Sequence, residues 1–404
     1  MQISDLFFVA SMPVLKTLLL TTLGSFLALD RVGVMGENAR KQLNSVVFFV
    51  FSPAIVGSNL AKTITLESIV LMWFMPINIL CTFIIGSVLA WILIKVTRAP
   101  RHLKGLVLGC CAAGNLGNLP LIIIPAICRE KNSPFGDPEI CHKYGMTYVS
   151  LSMATGVVYF WTYIYNIVRV SSSKINNEEF ISSKTYSCSD LSLSRIGCCE
   201  KMNLCSHHLF ILQAYGMQIS VLQKTIRCLK TIPRKLNLKA LFAPSTTAAI
   251  VGLTIGMVPR IHNLMIGDAA PLHVVEDSAS LLGDATIPTV TLIVGGNLLR
   301  GLKGSSAVPL SLIAGIIAIR HLFMPLLGIV IVKAAVNAGF IHSDPLYQFV
   351  LLLQYALPPA MNIGTLTQLF GAGESECSIV LFWAYALASV SLTLWTTFFM
   401  WLVA

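Results

Sequence analysis

The chain has 404 residues, of which 55% are hydrophobic and 11% charged, with a formal net charge of +10 and a mean hydropathy of +0.77. Soluble domains carry about a quarter charged residues, so the composition excludes an ordinary globular domain and points to repeated membrane crossing. The basic surplus does not indicate nucleic acid, because Lys and Arg fall in short clusters between apolar segments, the pattern that the positive bias of cytosolic loops produces.

The first apolar run, 6–29, is too long for the core of a cleaved signal and is read as an uncleaved span. Further apolar segments follow at 43–61, 69–94, 103–128 and 145–170. A hydrophilic stretch, 171–238, separates them from five more at 239–258, 279–299, 307–333, 345–370 and 377–403. Each segment is long enough, as a helix, for a hydrocarbon core of about 30 Å, and none alternates as a barrel strand would. The expectation is an all-α integral membrane protein with ten transmembrane helices. Its parts are 1–170, a loop at 171–238, and 239–404.

Lys and Arg orient these spans. Twenty fall on the side of Arg31, Arg40, Lys41, Lys95 and the central loop, and six fall on the side of Lys62, Arg129 and Lys333. The basic side is therefore read as cytosolic, which puts both termini on the luminal or external side. The loop begins Ser-rich. From Leu209, Ile211, Tyr215, Ile219, Leu222, Ile226 and Leu229 recur at helical spacing near Lys224, Arg227 and Lys230. An amphipathic helix on the cytosolic membrane face and one packed on the protein's own loops both fit this pattern. The stretch "CCEKMNLCSHH" has metal-ligand residue types, but its spacing matches no standard zinc pattern. No metal or cofactor is expected. A bridge between Cys128 and Cys141, which flank one loop, is left open.

Short stretches recur in matching spans of the two halves. "VGSNL" at Val56 returns as "VGGNL" at Val294, "FMP" at Phe74 returns at Phe323, and "NLG" at Asn115 returns as "NIG" at Asn362. Their order supports duplication. Five spans per half is an odd number, so the second copy must enter the membrane from the opposite side. The expected fold is two inverted five-helix repeats, the arrangement in which secondary transporters bind substrate near the midplane.

Spans four and nine carry the interruptions. "GNLGNLPLIII" contributes Gly114, Asn115, Gly117, Asn118 and Pro120; "LPPAMNIG" contributes Pro358, Pro359, Asn362 and Gly364. An interior proline costs a helix about 3 kcal/mol or more. In lipid, a freed backbone group is tolerated only where protein buries it or it lines a cavity. Paired breaks of this kind point to a transporter's binding site. Exposed N–H groups at a helix break attract a carboxylate, and Asn115, Asn118 and Asn362 add amide groups without permanent charge. Arg320 lies within span eight, where it either holds an anion or braces its span against a carbonyl; His321 beside it reads as a satisfied polar residue and Lys16 as a snorkelling one. Asp284 is the one acid within a span, near its end, which disfavours a carboxylate relay for protons or sodium.

"GNLGNLPL", "RHLFMP" and "ALPPAMNIG", set in two five-helix halves around a Ser-rich loop, resemble the plant PIN-LIKES proteins of the wider auxin efflux carrier family. The resemblance implies a carrier for the auxin anion, indole-3-acetate, in the endoplasmic reticulum membrane. By family analogy, helices 1, 2, 6 and 7 form a scaffold, helices 3–5 and 8–10 form a mobile unit, and a dimer is the analogous assembly. Helices four and nine would cross at Pro120 and at Pro358 with Pro359. Asn115 would contact the carboxylate, with Asn118 the second candidate, and the spacing from Asn to Pro leaves that choice open. Asn362 rests on the internal repeat. Two other readings are a sodium-coupled organic-acid symporter, since bile-acid carriers share this architecture, and an auxin-binding receptor that does not transport. An intramembrane enzyme would need a His/Asp, Ser/His or metal constellation at membrane depth, and the sequence offers none.

Overall fold

The computed structural model describes residues 3–130, 133–171, 244–267, 270–303, 308–370 and 373–403. The Ser-rich stretch, the helix expected from Leu209 and the Cys198–His208 cluster lie outside the described residues. Among the described residues there is no strand, only one isolated backbone bridge.

The first half runs α1 (Ile3–Leu27), α2 (Glu37–Thr63), α3 (Phe74–Val96), α4 (Lys104–Ala112), α5 (Asn118–Arg129) and α6 (Pro138–Tyr159), which a π-helical turn at Phe160–Ile164 prolongs. The second half runs α7 (Pro244–Met257), α8 (His273–Asn297), α9 (Leu310–Asn337), α10 (Pro345–Ala356), α11 (Asn362–Phe370) and α12 (Glu374–Val403). Asp137 starts α6 by accepting from the N–H groups of Glu139 and Ile140, and Asp344 starts α10 by accepting from that of Leu346. A proline follows each cap, at a position where its missing N–H is not needed.

Five of these helices are long and apolar enough to cross a membrane, or six if α7 and the helix Pro259–Met265, bent from it by 101°, count as one span. The protein is a multi-pass membrane protein. Of the ten expected spans, one, four, five and nine fall outside this count; four and nine do so for a physical reason. Each is two half-helices, α4 with α5 and α10 with α11, of 9 or 12 residues. Twelve residues of α-helix reach about 18 Å, well short of the core.

Two long packings organise the bundle: α1 runs along α8, and α2 runs along α7. Glycine makes both possible. A Cβ on Gly295 would meet the Thr21 carbonyl, and one on Gly252 would lie 2.5 Å from the Gly57 carbonyl. Close backbone approach at small residues is how helices pack in lipid. Gly57 and Gly295 are the second residues of "VGSNL" and "VGGNL", so the recurring motif sits at an interface of the same kind in both halves. Lys62 Nζ reaches the buried Glu276 carboxylate at 2.7 Å, tying the end of α2 to the first turn of α8.

The remaining helices enclose the core. A buried polar network joins α3, α10 and α6: Asn78 Nδ2 donates to Gln354 Oε1 (2.8 Å), the Tyr355 hydroxyl donates to Asn78 Oδ1 (3.2 Å), and Gln354 Nε2 donates to Ser152 Oγ (3.0 Å). Cys128 and Cys141 form a disulfide across the loop between α5 and α6, the pairing that the sequence left open.

Candidate functional site

The breaks after α4 and α10 meet inside the bundle. Gly114 and Pro359 form an antiparallel bridge. The Asn115 N–H donates to the Pro358 carbonyl, and the Ala360 N–H donates to the Ala113 carbonyl, both at 2.9 Å. Each broken helix thus supplies the backbone partners that the other lacks, which removes the penalty of open backbone at membrane depth. Pro358 and Pro359 have no N–H to give, and both of their carbonyls accept.

Arg320 stands behind this crossing. It lies in a π-helical turn, Ile319–Phe323, within α9, and is completely buried. Such turns redirect side chains and recur at functional sites. Its Nη1 donates to the Cys111 carbonyl at the end of α4 (3.1 Å), and its Nη2 donates to the Pro358 carbonyl just beyond α10 (3.4 Å). The guanidinium therefore occupies the carboxyl ends of two half-helices, where the helix dipole favours positive charge. Gly114 leaves room for it, since a Cβ there would meet Arg320 Nη2. His321, in the same turn, points its Nε2 at the Ala384 carbonyl of α12 (3.1 Å).

The amino ends of the other two half-helices face elsewhere. Gly117, which caps α5, and Asn362, which opens α11, line one cavity together with Asn115. Ile55 and Val56 of α2 and Met153 and Phe160 of α6 give it apolar walls, and Ser245 of α7 and Thr286 of α8 complete the lining. A second cavity shares Met361 and Asn362 with the first and adds Asn44, Asn297, Thr365 and Ser378. It continues the polar lining from the crossing toward the loops rich in Lys and Arg.

Asn115 is buried, and its Nδ2 donates to the hydroxyl of Tyr385 (2.9 Å), which donates in turn to the Pro359 carbonyl (2.8 Å). Tyr385 therefore joins the amide of one break to the backbone of the other. Sequence reasoning missed it; its only signal is one hydroxyl-bearing ring in the apolar run of α12. Thr286 was missed as well, and no motif marks it. Asn115, Asn362, Pro358 and Pro359 come together at the crossing. Asn118 is the first residue of α5, and Pro120 lies in the first turn of that half-helix, beyond the bridge. Among the described residues, no group of three His, Cys, Asp or Glu could hold a metal ion.

Two broken helices pinned to each other beside a cavity with polar and apolar walls mark the centre of this multi-pass membrane protein. The chain belongs to the membrane transport protein family, whose model matches residues 9–396, and within it to the PIN-LIKES proteins. It is 54% identical to Protein PIN-LIKES 1 of Arabidopsis thaliana over 404 residues, which is all of this chain and 81% of the relative. It is 51% identical to Protein PIN-LIKES 3 of the same plant over the full length of both. A more distant relative, an uncharacterized transporter of Schizosaccharomyces pombe, is 19% identical over 89% of this chain and 87% of its own length.

Proposed function

We propose that the protein carries a small organic monocarboxylate, the auxin anion indole-3-acetate, across the endoplasmic reticulum membrane by alternating access. The observation that carries this reading is the polarity of the crossing. The amino ends of α5 and α11 face a cavity with the amides of Asn115 and Asn362, while Arg320 occupies the carboxyl ends of α4 and α10. N–H groups at two positive helix ends suit a carboxylate, and the apolar walls suit an aromatic body. A simple carboxylic acid is ionised at cytosolic pH and, as an anion, meets a steep hydrocarbon barrier. Donors at the midplane lower that barrier. Auxin as the cargo rests on the resemblance to the PIN-LIKES proteins.

The ten spans form two inverted five-helix repeats, with α1, α2, α7 and α8 as scaffold and the crossing helices as the moving part. The antiparallel bridge and the paired glycine interfaces support this arrangement. The central loop is cytosolic and both termini are luminal. The Cys128–Cys141 bridge supports that orientation, because it lies in a loop on the side poor in Lys and Arg, and disulfides persist in oxidising compartments such as the endoplasmic reticulum lumen.

Radiolabelled indole-3-acetate flux in oriented proteoliposomes, with and without proton or sodium gradients, tests the reading. Saturable flux that Asn115→Ala abolishes, while the variant still inserts, is the expected result. Wild-type vesicles with no flux above protein-free ones would overturn it, and flux independent of sodium would exclude the symporter.

A further inference from the structure

Thr286 is 1% exposed, lines the crossing cavity, and its hydroxyl has no hydrogen-bond partner within the protein. Several helical threonines return their hydroxyls to the carbonyl one turn back, as Thr21, Thr63, Thr291 and Thr397 do; of the two buried threonine hydroxyls left without a partner among the described residues, those of Thr246 and Thr286, only Thr286 lines the crossing cavity. Thr286 follows the turn residue Ala285 inside α8, and its hydroxyl does not return to a carbonyl of the preceding turn. A buried hydroxyl left unpaired opposes folding. Its position on a cavity wall, facing the same space as Asn115 and Asn362, gives that donor a use.

We propose that Thr286 donates its hydroxyl to the carboxylate of the substrate from the scaffold side, so that the anion is held between α8 and the crossing. This rests on the reading of the cavity as an organic-anion site. The ligand class is a monocarboxylate whose head reaches both walls. An anion is favoured over a cation because the amino ends of two half-helices face the same space. A ligand held from both sides also couples its own binding to the approach of the moving helices to the scaffold.

The test compares wild type, Thr286→Val and Thr286→Ser in detergent, with radiolabelled indole-3-acetate binding and unliganded melting temperature as readouts. Valine keeps the shape and removes the donor. Losing a hydrogen bond to a charged group should raise the Kd about ten- to hundredfold. The unliganded melting temperature of Thr286→Val should stay level or rise, because a methyl replaces an unpaired polar group. Serine should restore affinity to within a few-fold. An unchanged Kd in Thr286→Val overturns this inference alone. A fall in melting temperature that accompanies the loss of affinity overturns it in favour of a structural role. A wild-type protein that binds no indole-3-acetate overturns the functional reading itself.

Discussion

Gly114→Ala tests whether the crossing depends on Arg320. Gly114 has no unusual backbone angle to maintain; it is glycine because of what lies beside it. An added Cβ would meet Arg320 Nη2 and lie 3.4 Å from its Cζ and 3.6 Å from Leu357 Cβ. The guanidinium cannot retreat freely, because it is fully buried and held at 3.1 Å by the Cys111 carbonyl and at 3.4 Å by that of Pro358. A hydrogen bond from a charged group contributes about 1.5–3 kcal/mol, so losing one or both costs about 1.5–6 kcal/mol. Gly117 is the comparison. Its Cβ would lie 3.1 Å from Met153 Cγ, on a flexible side chain that can move aside, so Gly117→Ala costs below ~1 kcal/mol. The assay is unfolding in mixed micelles of rising SDS fraction, run as a double-mutant cycle with Arg320→Ala. In that background the methyl has space, and Gly114→Ala should cost below ~0.5 kcal/mol. Equal costs in the two backgrounds, or a Gly114→Ala variant as stable as wild type, would refute the reasoning.

Tyr385→Phe removes the hydroxyl between Asn115 Nδ2 and the Pro359 carbonyl; unpaired buried groups cost about 1–3 kcal/mol, and the KM for indole-3-acetate in vesicles should rise several-fold, whereas an unchanged KM would remove Tyr385 from the site. Gly295→Ala drives a Cβ into the rigid Thr21 backbone, whereas Gly57→Ala meets the Ala248 carbonyl at an ordinary 3.5 Å; the first should lower the melting temperature in detergent and the second should not, and equal effects would count against the glycine interfaces. Cys128 and Cys141 should resist maleimide labelling in intact and permeabilised membranes until a reductant is added; labelling by a membrane-impermeant maleimide in sealed, right-side-out microsomes after reduction would place the loop on the cytosolic side.

Where the helices break was legible because the cause is local. Proline cannot donate and glycine weakens a helix, so "GNLGNLP" and "LPPAMNIG" mark breaks whatever surrounds them. What the breaks do was not legible. That Gly114 faces Pro359 depends on a contact between residues far apart in the chain, and Pro120, which looked like a crossing residue, needs only the first turn of α5, where a proline is accommodated. Arg320 left two roles open because its partners are backbone carbonyls, which every residue has. Span ends were blurred for a similar reason. Hydropathy starts the second span at 43, yet α2 begins at Glu37, because Arg40 is buried and donates to the Met35 carbonyl instead of reaching water. A hydropathy profile has no means of recording where a charged group finds its partner.

The sense of the bridge links the sequence repeat to the site. Two segments that crossed a membrane in the same direction would pair as parallel strands at their breaks. The bridge between Gly114 and Pro359 is antiparallel, so the chain passes through the crossing in opposite senses in its two halves. Halves with an odd number of spans require this, and halves with an even number forbid it. The same opposition sorts the four half-helix ends. With the chain reversed between the breaks, the carboxyl ends of α4 and α10 can converge on one cation, Arg320, while the amino ends of α5 and α11 converge on one cavity. The crossing thus builds, from uncharged backbone, one side that suits a resident cation and another whose amino ends suit an anion.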